Sequence, residues 1–338
     1  TLTLSSALTT GMTVDLAAGN DTLTLSAAAG NTGSVTHVET LVGAAGADTL
    51  TLVAALSGGS IDLAGGSDSV TFDDTVNSAS IANVETVTGG TAADTITLTS
   101  AASSGSMDLA AGADTLTLAN AANTLSVSGT ETLTGGTAAD AVTLSGALTT
   151  GMTVDLGTGN DTLTLAAGAG NTGSIKNVET TVGSSGADTI TLGSGTTNAS
   201  LDLAGGSDTL TFANATNSAS LGNVETITGG TGTDTLTLSS GLTTDMTVDL
   251  GAGSDTLTLA AGGNTGTMTH VETLVGGSGA DTMTIAAAIS GASADLAAGS
   301  DTLVLDDTVN TMTVSNVETL TGGTSDDTLT LGSALTTG

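Results

Sequence analysis

The chain has 338 residues, of which 34 are Asp or Glu and only Lys176 is Lys or Arg, so the formal net charge at pH 7 is −33. Such a polyanion lacks the cationic surface that nucleic acids require and is repelled by anionic membranes, whereas hard divalent cations suit it as partners. The absence of Cys excludes disulfides and cysteine-ligated metal sites, and no apolar run is long enough for membrane insertion.

The first repeat, in residues 12–52, shows the plan of the whole chain. A strand over residues 12–16 leads into a Gly-Asp turn at 17–21 and a strand at 22–25. A second strand over 35–41 leads into another Gly-rich turn at 43–48 and a strand at 49–52. Thr and Leu alternate after both turns, a period of two that predicts β-strands with one buried face. No amphipathic helix is predicted.

The Gly-rich turn followed by Asp-Thr-Leu-Thr-Leu, or a close variant, occurs seven times with a period of about 46 residues, which is typical of solenoid proteins. We call these the primary turns and the shorter turns between them the sister turns. The primary-turn acids are Asp48, Asp94, Asp140, Asp188, Asp234, Asp281 and Asp327; the sister-turn acids are Asp21, Asp68, Asp114, Asp161, Asp208, Asp255 and Asp301.

Acidic residues outside the turns suggest a coil length. Their regular spacing predicts 14 coils of about 23 residues, with Gly-x-Asp on one edge of each coil. We interpret this set as solvated surface charge. Its members are Asp15, Glu39, Asp62, Glu85, Asp108, Glu131, Asp155, Glu179, Asp202, Glu225, Asp249, Glu272, Asp295 and Glu318.

These patterns predict an all-β fold, a single elongated parallel β-solenoid of the β-roll or β-helix type with seven repeats of about 46 residues. Residues 1–338 are expected to form one continuous array, with Leu, Val and Ile inside and Thr, Ser and acids outside. Residues 1–11 nearly repeat residues 328–338. The array is therefore interpreted as a segment of a longer protein.

The primary turns resemble the RTX, or haemolysin-type, calcium-binding repeat, G-G-x-G-x-D-x-U-x with U a large aliphatic residue. Residues 229–237 (GGTGTDTLT) and 276–284 (GGSGADTMT) fit this pattern fully. Combined with the Val-Glu-Thr-Leu segments, the turns are also similar to the repeat regions of bacterial S-layer proteins and very large secreted adhesins. In the RTX family a Ca²⁺ lies between neighbouring turns and is shared by them.

The resemblance implies that several Ca²⁺ ions are cofactors of the fold. It implies a ligand role first for Asp48, Asp188, Asp234 and Asp281, whose turns keep Gly at both key positions. The same role is expected at the remaining primary turns and at some sister turns. These further candidates are Asp94, Asp140, Asp327, Asp21, Asp161 and Asp255.

The expected function is structural rather than enzymatic: a repeat segment of a secreted, extracellular bacterial surface protein, such as an S-layer, a filament or an adhesin stalk, whose folding depends on calcium. Expected partners are Ca²⁺, copies of the chain and cell-surface polysaccharide. No Ser-His-Asp grouping or phosphate-binding loop is recognisable. His37 and His270 precede Val-Glu-Thr, but Asn177 takes that place in a related repeat, which argues against a His site.

An alternative function is binding of ice or a mineral surface. The Thr-x-Thr pairs after the turns resemble the arrays of ice-binding β-solenoids, and the acids form possible mineral-binding ladders. Thr is also simply a favourable outward residue of a strand. The sequence is compatible with both explanations of the Thr rows.

Overall fold

The computed structural model describes residues 1–27, 30–168 and 170–333. Within these residues the chain forms 36 short β-strands and no helix, so this part of the chain has no helix able to span a bilayer. It divides into two compact units, residues 1–166 with 176–178 and residues 167–175 with 179–338. The continuity of the array over residues 1–338 stays a prediction. Residues 334–338, the end of the predicted terminal repeat, lie outside the described residues.

The first unit contains strands β1 to β18. Their bounds are β1 Leu2–Thr3, β2 Thr13–Asp15, β3 Thr22–Thr24, β4 Thr32–Thr36, β5 Thr40–Ala44, β6 Thr49–Leu52, β7 Ser57–Ala64, β8 Ser69–Thr71, β9 Ser78–Ala82, β10 Thr86–Thr88, β11 Thr95–Leu98, β12 Ser103–Asp108, β13 Thr115–Thr117, β14 Thr124–Ser128, β15 Thr132–Thr134, β16 Ala141–Leu144, β17 Thr153–Asp155 and β18 Thr162–Thr164.

The second unit contains strands β19 to β36, except that Lys176 at the end of β19 groups with the first unit. Their bounds are β19 Thr172–Lys176, β20 Thr180–Ser184, β21 Thr189–Leu192, β22 Ala199–Ala204, β23 Thr209–Thr211, β24 Asn217–Gly222, β25 Thr226–Gly230, β26 Asp234–Leu238, β27 Thr247–Gly251, β28 Thr256–Thr258, β29 Thr265–Thr269, β30 Thr273–Val275, β31 Thr282–Ile285, β32 Ser290–Asp295, β33 Thr302–Val304, β34 Thr311–Ser315, β35 Thr319–Thr321 and β36 Thr328–Leu331.

Within each unit a strand pairs in parallel with the strands two places before and after it. In the first unit, β6 lies between β4 and β8 in one sheet, and β13 lies between β11 and β15 in the other. In the second unit, β26 and β23 have the same kinds of neighbours. Two strands therefore make one coil. The predicted fold class, an all-β parallel β-solenoid, is confirmed, and the number of coils roughly matches the predicted 14.

The coil is shorter than the sequence spacing predicts. Leu50 lies opposite Val70, which lies opposite Val87. These two coils advance by 20 and then 17 residues, the same intervals that separate the hydrogen-bonded acids of their turns. One repeat therefore contains five strands, or two and a half coils; β26 to β30 lie between the primary turns of Asp234 and Asp281. Successive primary turns consequently precede strands of opposite sheets, and acidic turns occur on both edges of a unit instead of one.

The regularly spaced acids outside the turns do not form a single column. The Asp members lie within strands or at strand ends, and all except the half-buried Asp155 are exposed, whereas the Glu members are half-buried between strands. Asp62, for example, lies opposite Ala82 rather than Glu85. The interpretation of the whole set as solvated charge is therefore wrong for the Glu half. The spacing reflects half of the repeat rather than one coil.

The core consists of aliphatic side chains stacked coil upon coil. Leu23 and Leu116 in the first unit, and Leu210 and Leu257 in the second, are completely buried. Alternate residues point outward, as in β13, where Leu116 is buried between half-exposed Thr115 and Thr117. This alternation follows from the pleat of a strand. It matches the predicted placement of Leu, Val and Ile inside and Thr outside.

Candidate cation-binding ladders

The turn acids are inside the solenoid, contrary to the expectation that acids lie outside. The six primary-turn acids from Asp48 to Asp281 and the six sister-turn acids from Asp68 to Asp301 are each at most 2% exposed, whereas Asp21 and Asp327 are half-buried. Buried carboxylates require hydrogen-bond partners. The main-chain N–H groups of adjacent coils provide them, which explains why acids occur at these positions.

The main-chain N–H of a turn acid donates to the carboxylate of an acid one coil further along the chain. Asp48 donates to Oδ1 of Asp68 at 2.7 Å, and Asp68 donates to Oε2 of Glu85 at 2.8 Å. One coil earlier, the main-chain N–H and Nδ2 of Asn31 donate to Oδ1 of Asp48 at 2.7 and 2.8 Å. The main-chain N–H of Leu8 in turn donates to Oδ1 of Asn31 at 3.0 Å. We call this run of Asn, Asp, Asp and Glu on successive coils a ladder.

Ladders recur in both units with the same bonds. The first unit also has the complete ladder Asn77, Asp94, Asp114 and Glu131, the run Asn123, Asp140 and Asp161, and the pair Asp21 and Glu39. The second unit has the ladders Asn171, Asp188, Asp208 and Glu225; Asn217, Asp234, Asp255 and Glu272; Asn264, Asp281, Asp301 and Glu318; and the pair Asn310 and Asp327.

At most primary turns both carboxylate oxygens are hydrogen-bonded within the protein. Oδ1 of Asp94 accepts the main-chain N–H and Nδ2 of Asn77 at 2.9 and 3.1 Å, and Oδ2 accepts the N–H of Gly90 at 3.3 Å. Asp140, Asp188, Asp234 and Asp281 are bound in the same way. Asp48 is an exception, because its buried Oδ2 has no hydrogen-bond partner.

At five sister turns the second carboxylate oxygen has no hydrogen-bond partner. Oδ1 accepts the N–H of the preceding primary Asp, but Oδ2 is buried without a hydrogen-bond partner in Asp68, Asp114, Asp208, Asp255 and Asp301. The turn backbone approaches these carboxylates closely. A Cβ added to Gly66 would lie 2.8 Å from Oδ1 of Asp68. Glycine is therefore required two residues before the sister-turn acid.

At five sister turns burial opposes ionisation of the carboxylate and raises its pKa. Burial raises the pKa of Asp114 to about 6. The N–H donated by Asp94 acts to lower this pKa, and repulsion from the carboxylates of Asp94 and Glu131 raises it further. Burial likewise raises the pKa of Asp208 to about 6. The pKa values of Asp68, Asp255 and Asp301 are raised first by the same cause. A buried carboxylate of this kind is neutralised by a proton or by a cation.

The donor set suits a hard cation such as Ca²⁺, which takes carboxylate and main-chain carbonyl oxygens. A buried carboxylate oxygen without a partner is the observation that fits the ion. Among the described residues, no group of three or more His, Cys, Asp or Glu side chains is arranged to hold a metal. An ion would therefore use one or two carboxylates together with carbonyl oxygens of the Gly-rich turns.

A second set of side-chain contacts lies outside the ladders. Nδ1 of His37 lies 2.8 Å from Oδ1 of Asp15, and Nδ2 of Asn177 donates to Oδ1 of Asp155 at 2.7 Å. The hydrogen bond with His37 holds the pKa of Asp15 below its usual value. Because His and Asn make equivalent contacts with a strand-end Asp, His37 acts here as a hydrogen-bonding residue that Asn can replace.

Sequence reasoning missed the buried asparagines of the ladders. Each Asn precedes its primary-turn Asp by 17 residues, as in Asn31 with Asp48 and Asn264 with Asp281. The same interval separates Asp68 from Glu85. This constant spacing was the available signal for the asparagines, and the strand pairing shows that it equals the advance of the short coils.

The RTX calcium-binding nonapeptide repeat family (4 copies) has a model that matches residues 222–241, 269–284 and 314–334. No curated protein and no solved structure shows significant similarity to the chain. The matched segments contain the primary turns of Asp234, Asp281 and Asp327. Parallel strands accompany the motif there, and Asp234 and Asp281 are buried, whereas Asp327 is half-buried. This match supports the resemblance of the turns to the RTX repeat that the sequence predicts.

Proposed function

We propose that this RTX-repeat β-solenoid is a calcium-stiffened structural segment of a secreted bacterial cell-surface protein, such as an S-layer, a filament or an adhesin stalk. One observation supports the proposal above all others. Buried carboxylates recur at the turns of coil after coil, and at five sister turns, those of Asp68, Asp114, Asp208, Asp255 and Asp301, one carboxylate oxygen has no hydrogen-bond partner. Repetition of the same feature suits a load-bearing or spacing element rather than a single active site.

The proposed mechanism links folding to ion binding. At low calcium the chain carries its full negative charge, and folding must bring carboxylates of adjacent coils together, which is unfavourable. An ion that binds the folded form alone shifts the equilibrium toward it. Asp21, Asp48, Asp94, Asp140, Asp161, Asp188, Asp234, Asp255, Asp281 and Asp327 stay the candidate ligands.

The location and partners follow from the repeat type and the charge. RTX repeat proteins are typically secreted. Calcium-linked folding would then occur outside the cell, where calcium is available. Copies of the chain and cell-surface polysaccharide are the proposed macromolecular partners. The single Lys176 leaves no cationic surface for nucleic acid. The repeat solenoid is a structural fold, and we propose a role without catalysis.

The direct test is circular dichroism of the whole chain during calcium titration and after addition of excess EDTA. We expect a disordered spectrum in EDTA and a β-rich spectrum with a cooperative melt in calcium. Equal ionic strength of NaCl is the control, because it separates specific binding from screening. A stable β-rich spectrum that neither EDTA nor calcium alters would contradict calcium-linked folding.

Ice binding is the second candidate function, and the register of the second unit favours it. Outward hydroxyls form an uninterrupted row, with neighbours about 4.8 Å apart along the row and successive outward residues of one strand about 6.6 Å apart. Such regularity suits a crystalline surface. The row is Thr172, Thr189, Thr209, Thr226, Thr247, Thr267 and Thr284.

The ice-binding candidate predicts thermal hysteresis, measured as the gap between the melting and freezing points of a single ice crystal. We expect Thr226→Tyr to abolish the gap, because one bulky residue prevents close approach along the row. Thr197→Tyr, in an exposed loop of the same unit, is the control. No hysteresis from the parent chain would eliminate this candidate.

A further inference from the structure

We infer that the buried asparagines of the ladders take the place of a cation at the primary turns, so that the calcium ions bind mainly at the sister turns. This inference rests on the proposed calcium role and names the residues that would perform it. The ligands it assigns are Asp68, Asp114, Asp208, Asp255 and Asp301, of which only Asp255 is among the candidates from the sequence. Asp48 joins them because its Oδ2 is also without a partner.

The first step concerns the bond between Asn264 and Asp281. The main-chain N–H and Nδ2 of Asn264 donate to Oδ1 of Asp281 at 2.9 and 2.7 Å, and the N–H of Gly277 donates to Oδ2 at 3.2 Å. Three N–H donors stabilise a carboxylate strongly without an ion. The amide of Asn264 therefore supplies the positive end that a cation would otherwise provide.

The second step concerns the acid one coil further on. Oδ1 of Asp301 accepts the N–H of Asp281 at 2.8 Å, while Oδ2 is buried and without a partner. The charged groups facing Asp301 are the carboxylates of Asp281 and Glu318. Asp255 has the same surroundings, Asp234 and Glu272, with His270 as an added neighbour. No asparagine amide performs this neutralising role for either sister-turn acid, so an ion has the most to contribute there.

A third observation separates the two kinds of turn. The asparagine amides are also anchored to their own turn, since Nδ2 of Asn264 donates to the carbonyl oxygens of Ala260 and Gly262 at 3.0 and 2.8 Å as well as to Asp281. Asn123 and Asn217 make the same pair of bonds. The amide is therefore a fixed part of the turn, and an ion could reach the primary-turn carboxylate only by displacing it.

The test compares Asp255→Asn with Asp281→Asn in the full chain. The number of bound Ca²⁺ ions is measured by equilibrium dialysis, and the melting temperature is measured in EDTA and in calcium. We expect Asp255→Asn to bind one ion fewer and to melt in EDTA no lower than the parent. We expect Asp281→Asn to keep the ion number but melt lower in both solutions, because its new NH₂ group opposes the N–H of Gly277 or Nδ2 of Asn264.

A third variant covers the case in which Asp281→Asn does not fold. Asn264→Asp replaces the amide with a carboxylate, and we expect it to bind one ion more than the parent and to depend more steeply on calcium. An unchanged ion number in Asn264→Asp, or loss of an ion in Asp281→Asn but not in Asp255→Asn, would overturn the inference alone. A parent chain that binds no calcium would overturn the proposed function as well.

Discussion

Gly277→Ala is expected to lower the melting temperature in saturating calcium more than any exposed substitution in the second unit. A Cβ at this position would overlap the carbonyl oxygen of Ala260 and lie 3.0 Å from Cα of Ala261. Both atoms belong to the backbone of the neighbouring coil. Main-chain hydrogen bonds between the coils hold this backbone, so it cannot move away without breaking them. We expect a loss of about 3 kcal/mol, the upper part of the ordinary range for single substitutions.

Gly262→Ala is the matched control for Gly277→Ala. A Cβ at Gly262 would have no atom within 4 Å, so the change should leave the melting temperature nearly unaltered. Melting followed by circular dichroism compares the two variants. Equal melting temperatures for Gly277→Ala and the parent would show that the coils are further apart at this turn than the structure indicates.

Asn264→Ala is expected to destabilise the second unit at least as much as Gly277→Ala does. The substitution removes the bonds from Nδ2 to Ala260, Gly262 and Asp281, and it removes the acceptor of the Leu242 N–H at 3.1 Å. A buried polar group that loses its partner costs about 1–3 kcal/mol. With both Leu242 and Asp281 affected, we expect about 3–5 kcal/mol in total.

The loss of stability in Asn264→Ala should be greatest in the coils next to the substitution, because each coil of a solenoid contacts only its neighbours. Hydrogen exchange should therefore show faster amide exchange in β29 and β31 of Asn264→Ala than in β21. Asn214→Ala is the control, since Asn214 is exposed in the same unit. Unchanged exchange in β29 and β31 would show that the buried asparagine is not needed for coil stacking.

The sequence predicts the strands and their faces correctly because these depend on neighbouring residues. Thr-Leu-Thr at residues 115–117 alternates in the period of a pleated strand, and Leu116 is indeed buried between two outward threonines. Likewise, the Gly-rich pattern at residues 276–284 is contained in a short segment and suffices to recognise an RTX repeat. Both inferences need only local chemistry and local geometry.

The coil length could not be inferred in the same way. A repeat of about 46 residues is compatible with two long coils or with two and a half shorter coils, and both give regular acid spacing. Only the pairing of Leu50 with Val70 and of Val70 with Val87 decides between them. The choice depends on hydrogen bonds between residues that are a full coil apart in the chain, which no local pattern specifies.

The sequence by itself therefore determined the β-strands, the repeat, the RTX resemblance and the positions of the turn acids. The tertiary structure alone decided that these acids are buried, that Asn31 and its equivalents bind them, and that sister-turn acids such as Asp301 keep an unpartnered oxygen. The physical reason is that a carboxylate's environment depends on which N–H groups the next coil brings near it. Those groups come from residues a full coil away, so the same Gly-x-Asp motif has different chemistry at primary and sister turns.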